Sequence, residues 1–156
     1  MPSILWYISH SLSWPKFFGN DIGSHLQPVS ASISETDPNI AHCTFSLKVP
    51  RSLCNAAGSL HGGAVATIFD ATTSMAIAPV MREGFWDSDH VTRTLNCSYL
   101  RPAPEGTEML IECEIVHLGK RMGMIKGVMK RKDNGALCST CEHHKALVEF
   151  KPKHNL

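Results

Sequence analysis

The sequence Asn55-Ala-Ala-Gly-Ser-Leu-His61-Gly62-Gly63 directly precedes an apolar run, Ala64–Val80, that has no proline until Pro79. Glycines ahead of such a run predict a loop that leads into a helix. The first turn of a helix has unpaired backbone N–H groups and a partial positive charge, which together suit an oxyanion. Because Gly62 and Gly63 have no side chains, a ligand can approach this backbone closely.

Asp70 lies inside the predicted helix, on a face of small and mostly polar residues. At about 100° per residue, these positions fall within about 60° of Asp70: Gly63, Ala66, Thr67, Thr73, Ser74 and Ile77. The opposite face is apolar. An acid among small side chains leaves room for a ligand, which makes Gly63, Thr67 and Ser74 candidate substrate-contacting residues. A lone Asp on a helix is, however, more often a solvated residue or a local hydrogen-bonding group.

The spacing of Gly62 and Asp70 limits how they can act together. Eight residues of helix separate them by a rise of about 12 Å, and the backward lean of the Asp70 side chain recovers only part of it. One reacting carbonyl therefore cannot contact both groups of the same helix. If both groups act in one reaction, Gly62 of one subunit must face Asp70 of another, which predicts an obligate oligomer.

The composition is that of one globular domain with an ordinary core: 156 residues, 43% hydrophobic, with a net charge of +1. The basic residues form no long stripe and the charge balance is near neutral, which argues against nucleic-acid binding. The sequence shows no apolar run that approaches the roughly 20 residues needed to span a bilayer. These features are those expected of an ordinary soluble protein.

Six cysteines in a chain of this length predict reduced, mostly buried thiols in a reducing compartment, since no signal peptide is recognisable. The cytoplasm is the expected location, with the mitochondrion as the alternative. Cys138 and Cys141 have CxxC spacing, but positions i and i+3 of a strand face opposite sides. No second pair completes a zinc site. We therefore expect neither a metal nor another cofactor.

The rest of the sequence predicts strands on both sides of the helix. We expect an N-terminal arm or helix at residues 1–27, one domain at 28–150 and a tail at 151–156. Alternating apolar residues and turn clusters predict these strands: Pro28–Glu35, Ala41–Val49, His90–Leu100, Thr107–His117, Arg121–Arg131 and Ala136–Phe150. One long central helix among about six antiparallel strands predicts an α+β domain whose curved sheet wraps the helix. Its open edges would be covered by pairing between subunits.

The motif Asn55-Ala-x-Gly58-x-Leu-His61-Gly62-Gly63, a helical Asp70, and then Asn96-x-x-Tyr99-x-x-Pro102 together resemble the hotdog-fold acyl-CoA thioesterases. The subgroup concerned is typified by the phenylacetate-pathway thioesterase and the eukaryotic acyl-CoA thioesterase 13 type. The resemblance covers residues 28–150. It implies a single hotdog domain that forms a homodimer with side-by-side sheets, usually doubled to a homotetramer, with active sites at the dimer seam.

The resemblance also implies roles for four residues. The Gly62 N–H would polarise the thioester carbonyl, and Asn55 would place the thioester or the water. Asp70 of the partner subunit would act as general base or nucleophile. Thr92 would help to hold the attacking water, at the position where the family has a Ser or Thr. A polarising N–H can supply about 2.7–4 kcal/mol of transition-state stabilisation, and a general base about 10²–10⁴-fold in rate.

The histidines and the turn cations are further candidates. His61 is a candidate catalytic residue, although its position beside two glycines favours orienting the loop through hydrogen bonds. The other histidines, including His143, have no companion motif and are expected on the surface or in packing positions. Lys120 and Arg121, in a predicted turn, are candidate partners for the phosphates of coenzyme A, or else ordinary solvated charges.

The function expected from these features is hydrolysis of an acyl thioester to a carboxylic acid and a free thiol, either of coenzyme A or of an acyl carrier. Coenzyme A enters only as part of the substrate. Two alternatives remain open. One is a hydratase or dehydratase acting on acyl thioesters on the same fold, and the other is a non-catalytic acyl-CoA binding module.

Overall fold

Six antiparallel strands and one long helix make up most of the described chain, residues 20–148 of a computed structural model. The strands are β1 Leu26–Ile33, β2 Ala41–Lys48, β3 His90–Tyr99, β4 Glu108–Leu118, β5 Met122–Arg131 and β6 Leu137–Leu147. The helices are α1 Asn20–His25 and α2 Gly62–Met75, with 3₁₀ turns at Arg51–Leu53 and Ala78–Val80. The predicted α+β class is confirmed, with one central helix and a six-stranded sheet.

The strands form one sheet in the order β1-β2-β4-β5-β6-β3, and all neighbours are antiparallel. The two edges of this sheet are therefore β1 and β3. The apolar side of α2 packs on the concave face, where Val65, Ile68 and Phe69 are buried. Gly127 of β5 permits this close approach, because a Cβ atom there would lie 2.8 Å from the Phe69 ring.

The segment Gly62–Val80 is long and apolar enough, by length and composition alone, to cross a membrane. Its α-helix proper ends at Met75, however, and it carries Asp70. Its apolar side is covered by the sheet. These features identify it as the core helix of the domain. The expectation that no apolar run approaches the roughly 20 residues of a membrane span was wrong, because this segment has 19.

The element boundaries differ from the predicted ones for identifiable reasons. The helix ends before Val80, because Pro79 has no N–H and its ring clashes with the carbonyl four residues earlier, at Met75. Strand β1 begins at Leu26, two residues before the predicted domain boundary, since Leu26 is buried and pairs with Leu47. Most of the predicted N-terminal arm and the whole predicted tail lie outside the described residues.

Candidate active site

The first turn of α2 presents two backbone N–H groups, those of Gly62 and Ala64, that have no hydrogen-bond partner in the described chain. His61 is the N-cap residue, and its Nδ1 accepts the N–H of Gly63 at 3.0 Å. The carbonyl of His61 accepts the N–H of Val65 at 3.0 Å. The Gly62 N–H has no hydrogen-bond partner within residues 20–148. Gly62 thus combines a free donor, a partly exposed position and the positive end of the helix dipole.

His61 therefore acts on the loop and the helix start, as its position in the sequence favoured. With Nδ1 committed to Gly63, the imidazole fixes which N–H groups the helix tip offers. On the other side of the tip, the Tyr99 hydroxyl of β3 donates to the Gly62 carbonyl at 3.0 Å. The helix start is held from both sides.

Asn55 organises the loop that precedes the helix. Its Oδ1 accepts the N–H groups of Ala57 at 3.0 Å and Ser59 at 3.2 Å, and Gly58 turns the chain with φ +77°. The oxygen of the Asn55 amide is thereby used in the loop. Its NH₂ group makes no hydrogen bond to any residue the structure describes, and it remains free to donate to a ligand.

Asp70 lies in the middle of α2 at one end of a hydrogen-bonded chain. The Thr92 hydroxyl of β3 donates to Asp70 Oδ1 at 2.7 Å, and the same hydroxyl lies 2.9 Å from His143 Nε2 of β6. The other ring nitrogen, His143 Nδ1, is 2.6 Å from the Thr73 hydroxyl, which is 2.5 Å from the Phe69 carbonyl. The structure thus brings together two of the candidate site residues, Asp70 and Thr92, and adds His143 to them.

The hydrogen positions in this chain follow from the acceptors. A carbonyl can only accept, so Thr73 donates to Phe69 and receives the Nδ1–H of His143. The Nε2 atom of the neutral ring is then an acceptor, as is Asp70. One hydroxyl hydrogen of Thr92 therefore serves two acceptors, Nε2 and Oδ1. When it turns toward Nε2, Asp70 keeps a free lone pair that can take a proton from water.

Charge and burial keep His143 neutral. Burial and, to a smaller extent, the positive charge of Lys145 lower the pKa of His143 from 6.5 to about 4, and Asp70 opposes both effects. Lys145 is itself buried, and its Nζ donates to the Ser74 hydroxyl at 2.8 Å, which in turn donates to the Asp70 backbone carbonyl. Burial lowers the pKa of this ammonium as well. The Asp70 carboxylate, by contrast, is about half exposed and open to solvent.

The candidate substrate-contacting residues fall into three situations. Thr67 donates to the Gly63 carbonyl at 2.9 Å, so both residues belong to the first turns of α2. The Ser74 hydroxyl is held by Lys145 and Asp70 rather than facing a ligand freely. Lys120 and Arg121 are exposed in the turn between β4 and β5.

This turn lies far from the helix tip of the same chain. Tyr99, which contacts Gly62, pairs with Ser139, and Ser139 pairs with Met129 of β5. From Met129 back to Arg121 is about 25 Å of strand. The turn cations lie instead toward the end of the sheet where Thr92 pairs with Lys145 and Lys145 with Gly123.

The sequence interpretation missed His143, which it assigned to the surface or to packing. The side chain is fully buried, but it bonds to Thr92 and so reaches Asp70 through one hydroxyl. A signal was present in the strand period. His143 is two residues from both Cys141 and Lys145, which face the core, so it lies on the same face of the strand. A polar side chain at such a buried position requires a hydrogen-bond partner.

Comparisons with known proteins identify the family and the fold. The thioesterase superfamily model matches residues 57–138. Acyl-coenzyme A thioesterase 13 of Mus musculus is 31% identical over 101 residues, which are 65% of this chain and 69% of the relative. The crystal structure of mouse thioesterase superfamily member 2 superposes with a TM-score of 0.79 at 25% identity, covering 95% of this chain and all of the other.

A Streptococcus mutans protein crystallised with acetyl-CoA shares the fold at 19% identity, with a TM-score of 0.66. The alignment covers 81% of this chain and 90% of that one. The matched family segment contains Gly62, Asp70 and Thr92, and it ends before His143. The network at Asp70 therefore extends beyond the matched part of the chain.

The buried neutral His143 makes the fold sensitive to acid. Because its pKa is about 4 in the folded chain and 6.5 when exposed, the unfolded chain binds more protons between these values. The free energy of unfolding should thus be constant with respect to this group above pH 6.5 and fall as the pH is lowered toward 4. At pH 5 the expected loss is about 2 kcal/mol.

Urea unfolding of wild type and His143→Gln at pH 7 and pH 5, at one protein concentration, measures this effect. Gln retains a hydrogen-bonding side chain but cannot be protonated. We expect the variant to be less stable at pH 7 and to lose less stability than wild type on going to pH 5. His90, whose pKa burial also lowers to about 4, should give both proteins a shared residual slope. An equal loss in the two proteins would contradict a neutral buried His143.

Proposed function

This chain belongs to the thioesterase superfamily and is an acyl-CoA thioester hydrolase, and we propose that hydrolysis takes place between two copies of the chain. The carbonyl of the substrate binds at the tip of one α2 helix. The attacking water binds beside Asp70 of the partner's α2. The observation that carries this proposal is that one helix has both a free Gly62 N–H at its tip and, in its middle, a solvent-open Asp70 that is held by Thr92.

At the helix tip, the Gly62 N–H and the positive end of the dipole stabilise the negative charge that develops on the carbonyl oxygen. The free NH₂ group of Asn55 is the second donor available near this loop. His61 and Tyr99 add rigidity, since each fixes one side of the first turn. A donor that is positioned before the reaction needs no reorganisation as the charge appears.

At the acid, Asp70 accepts a proton from water while the water oxygen attacks the carbonyl carbon. The Thr92 hydroxyl hydrogen can turn from Oδ1 to His143 Nε2 as the carboxylate takes up that proton. The tetrahedral intermediate then expels the thiolate, and the C–S bond breaks. A thiolate leaves readily, so one carboxylate and one oxyanion donor provide sufficient chemistry.

The two-copy arrangement follows from the helix geometry. Gly62 is the first residue of α2 and Asp70 the ninth, so a rise of about 12 Å separates them on one rigid element. Strand β3, which carries Thr92 and Tyr99, is an edge strand with exposed apolar residues such as Val91 and Leu100 near its ends. Pairing of β3 with a second copy would cover this edge and form a homodimer, which can double to a homotetramer.

In this arrangement the phosphates of coenzyme A lie at the protein surface. Lys120 and Arg121 are exposed and lie toward the Asp70 end of their own chain, so the subunit that supplies the acid would also supply these cations. We expect the substrate to be an acyl-CoA, with the protein in the cytoplasm.

Purified protein offered a panel of acyl-CoA thioesters should release free thiol, measured with a thiol reagent. Asp70→Asn retains the shape of the side chain but cannot accept the proton, and it should lower kcat by two to four orders of magnitude. Thiol release equal to wild type in Asp70→Asn would contradict the role of the acid. Loss of enoyl absorbance without thiol release would identify a hydratase, and tight binding without turnover a binding module.

Gly62→Pro removes the proposed oxyanion donor with little change in backbone. Pro is favoured at the first position of a helix, and His61 already has the extended conformation, φ −65° and ψ 138°, that a residue before Pro requires. The matched control is Gly62→Ala, which keeps the N–H and whose Cβ would make an ordinary 3.6 Å contact with the Tyr99 ring.

We expect Gly62→Pro to lower kcat about 10²–10³-fold relative to Gly62→Ala, because it removes one oxyanion donor. Steady-state kinetics of the two variants, with circular dichroism to verify the helix, measure the difference. Equal turnover in Pro and Ala variants would show that the Gly62 N–H does not contact the reacting carbonyl.

A further inference from the structure

Two cysteines face each other directly across the β3–β6 pair. Cys97 of β3 is the register partner of Cys141 of β6. Directly opposed residues of antiparallel strands point to the same face of the sheet. Here that face is the one toward α2, because His143, two residues beyond Cys141, contacts Thr73 of that helix. Both cysteines are free thiols in this structure.

The hydrogen-bond pattern between β3 and β6 indicates that the Cα atoms of Cys97 and Cys141 lie close together. The N–H of Leu100 donates to the Cys138 carbonyl at 2.8 Å, which identifies that opposed pair as a hydrogen-bonded one. Hydrogen-bonded and non-hydrogen-bonded pairs alternate along antiparallel strands. Cys97 and Cys141, three residues further along each strand, therefore form a non-hydrogen-bonded pair. Such pairs have Cα atoms about 4.5 Å apart and side chains in contact, within the range of a disulfide.

A second opposed pair in the same sheet is the natural contrast. Cys43 of β2 pairs with Cys113 of β4, and both are buried. The Val49 N–H donates to the Thr107 carbonyl at 3.0 Å, which makes Cys43–Cys113, six residues away on each strand, a hydrogen-bonded pair with a wider spacing. Cys97 differs from these thiols in being only partly buried.

The Cys97–Cys141 pair lies between the two halves of the candidate site in its own chain. The opposed pair on one side contains Tyr99, which holds the Gly62 carbonyl. The opposed pair on the other side contains His143, which contacts Thr92. The cysteine pair is thus two residues along the strands from Tyr99, which contacts Gly62, and from His143, which contacts Thr92. A change in the pair therefore acts close to both halves of the site.

We propose that Cys97 and Cys141 form a reversible disulfide across β3 and β6 under oxidation, and that this bond slows the enzyme. With hydrogen peroxide as oxidant, the Cys97 sulfur takes one peroxide oxygen to give a sulfenic acid and water. The Cys141 sulfur then attacks the Cys97 sulfur and displaces a second water. Two thiols and one peroxide give one disulfide and two waters, and a dithiol reductant reverses the change.

The thiol environment sets the rate and its pH dependence. Burial raises the pKa of Cys97, and burial raises the pKa of Cys141 to about 12. Because the thiolate is the reactive form, oxidation should be slow at pH 7 and accelerate at higher pH. A bond between Cys97 and Cys141 constrains β3 two residues from Tyr99, whose hydroxyl holds the helix tip, and so disturbs that contact.

The experiment treats reduced full-length protein with hydrogen peroxide at pH 7 and pH 8.5, followed by catalase and alkylation of the remaining thiols. Mass spectrometry of a non-reduced digest should find a peptide containing Cys97 linked to one containing Cys141. The bond should form faster at pH 8.5, and dithiothreitol should remove it. Cys97→Ser should lack the link, and the matched variant Cys43→Ser should retain it.

Turnover is measured in the same samples by loss of thioester absorbance, since a thiol reagent would also count protein thiols. It should fall several-fold with formation of the link, recover with dithiothreitol, and remain constant during oxidation of Cys97→Ser. This readout rests on the proposed function, whereas the peptide link does not. A link between other cysteines, or oxidation of Cys97 without a link, would overturn the disulfide. A complete link with unchanged turnover would overturn its effect on the enzyme.

Discussion

The rigidity of one helix is the constraint on which this account depends. Helix α2 holds the free Gly62 N–H at its first residue and the Asp70 carboxylate at its ninth, and the sheet fixes both by burying Ile68 and Phe69 between them. A helix of this kind cannot bend to bring its own tip to its own middle. Catalysis that uses both groups therefore requires a second helix, and the open edge at β3 is where the fold can provide one.

The surroundings of Asp70 combine a buried polar network with a carboxylate that is open to solvent. Thr92 binds one oxygen, and a neutral His143 accepts behind it, so the hydroxyl hydrogen has two positions. Lys145 adds a buried positive charge through Ser74 and lowers the pKa of His143. The carboxylate itself remains about half exposed. A buried polar network thus orients an acid that still meets water.

Much of this arrangement could be predicted from the sequence, because the decisive signals are local. The glycines after His61, the helical period around Asp70 and the strand alternation depend on near neighbours, so the α+β fold followed from them. The contacts of His143 and the opposition of Cys97 and Cys141 depend on which strands are adjacent and in what register. No single segment encodes that information. The end of the helix was predicted too late in the sequence. Pro79 has no N–H to donate to the Met75 carbonyl and its ring clashes with that carbonyl, so the helix ends before Val80.

The most direct test of the two-copy site is complementation between two inactive variants. Asp70→Asn and Gly62→Pro, carrying different affinity tags, are co-expressed, and the mixed oligomer is isolated by purification on both tags in turn. If each site takes Gly62 from one subunit and Asp70 from the other, a mixed dimer has one intact site. It should then recover about half of the wild-type turnover per dimer. Activity no higher than that of the two variants alone would show that both groups act within one chain, and would contradict the account.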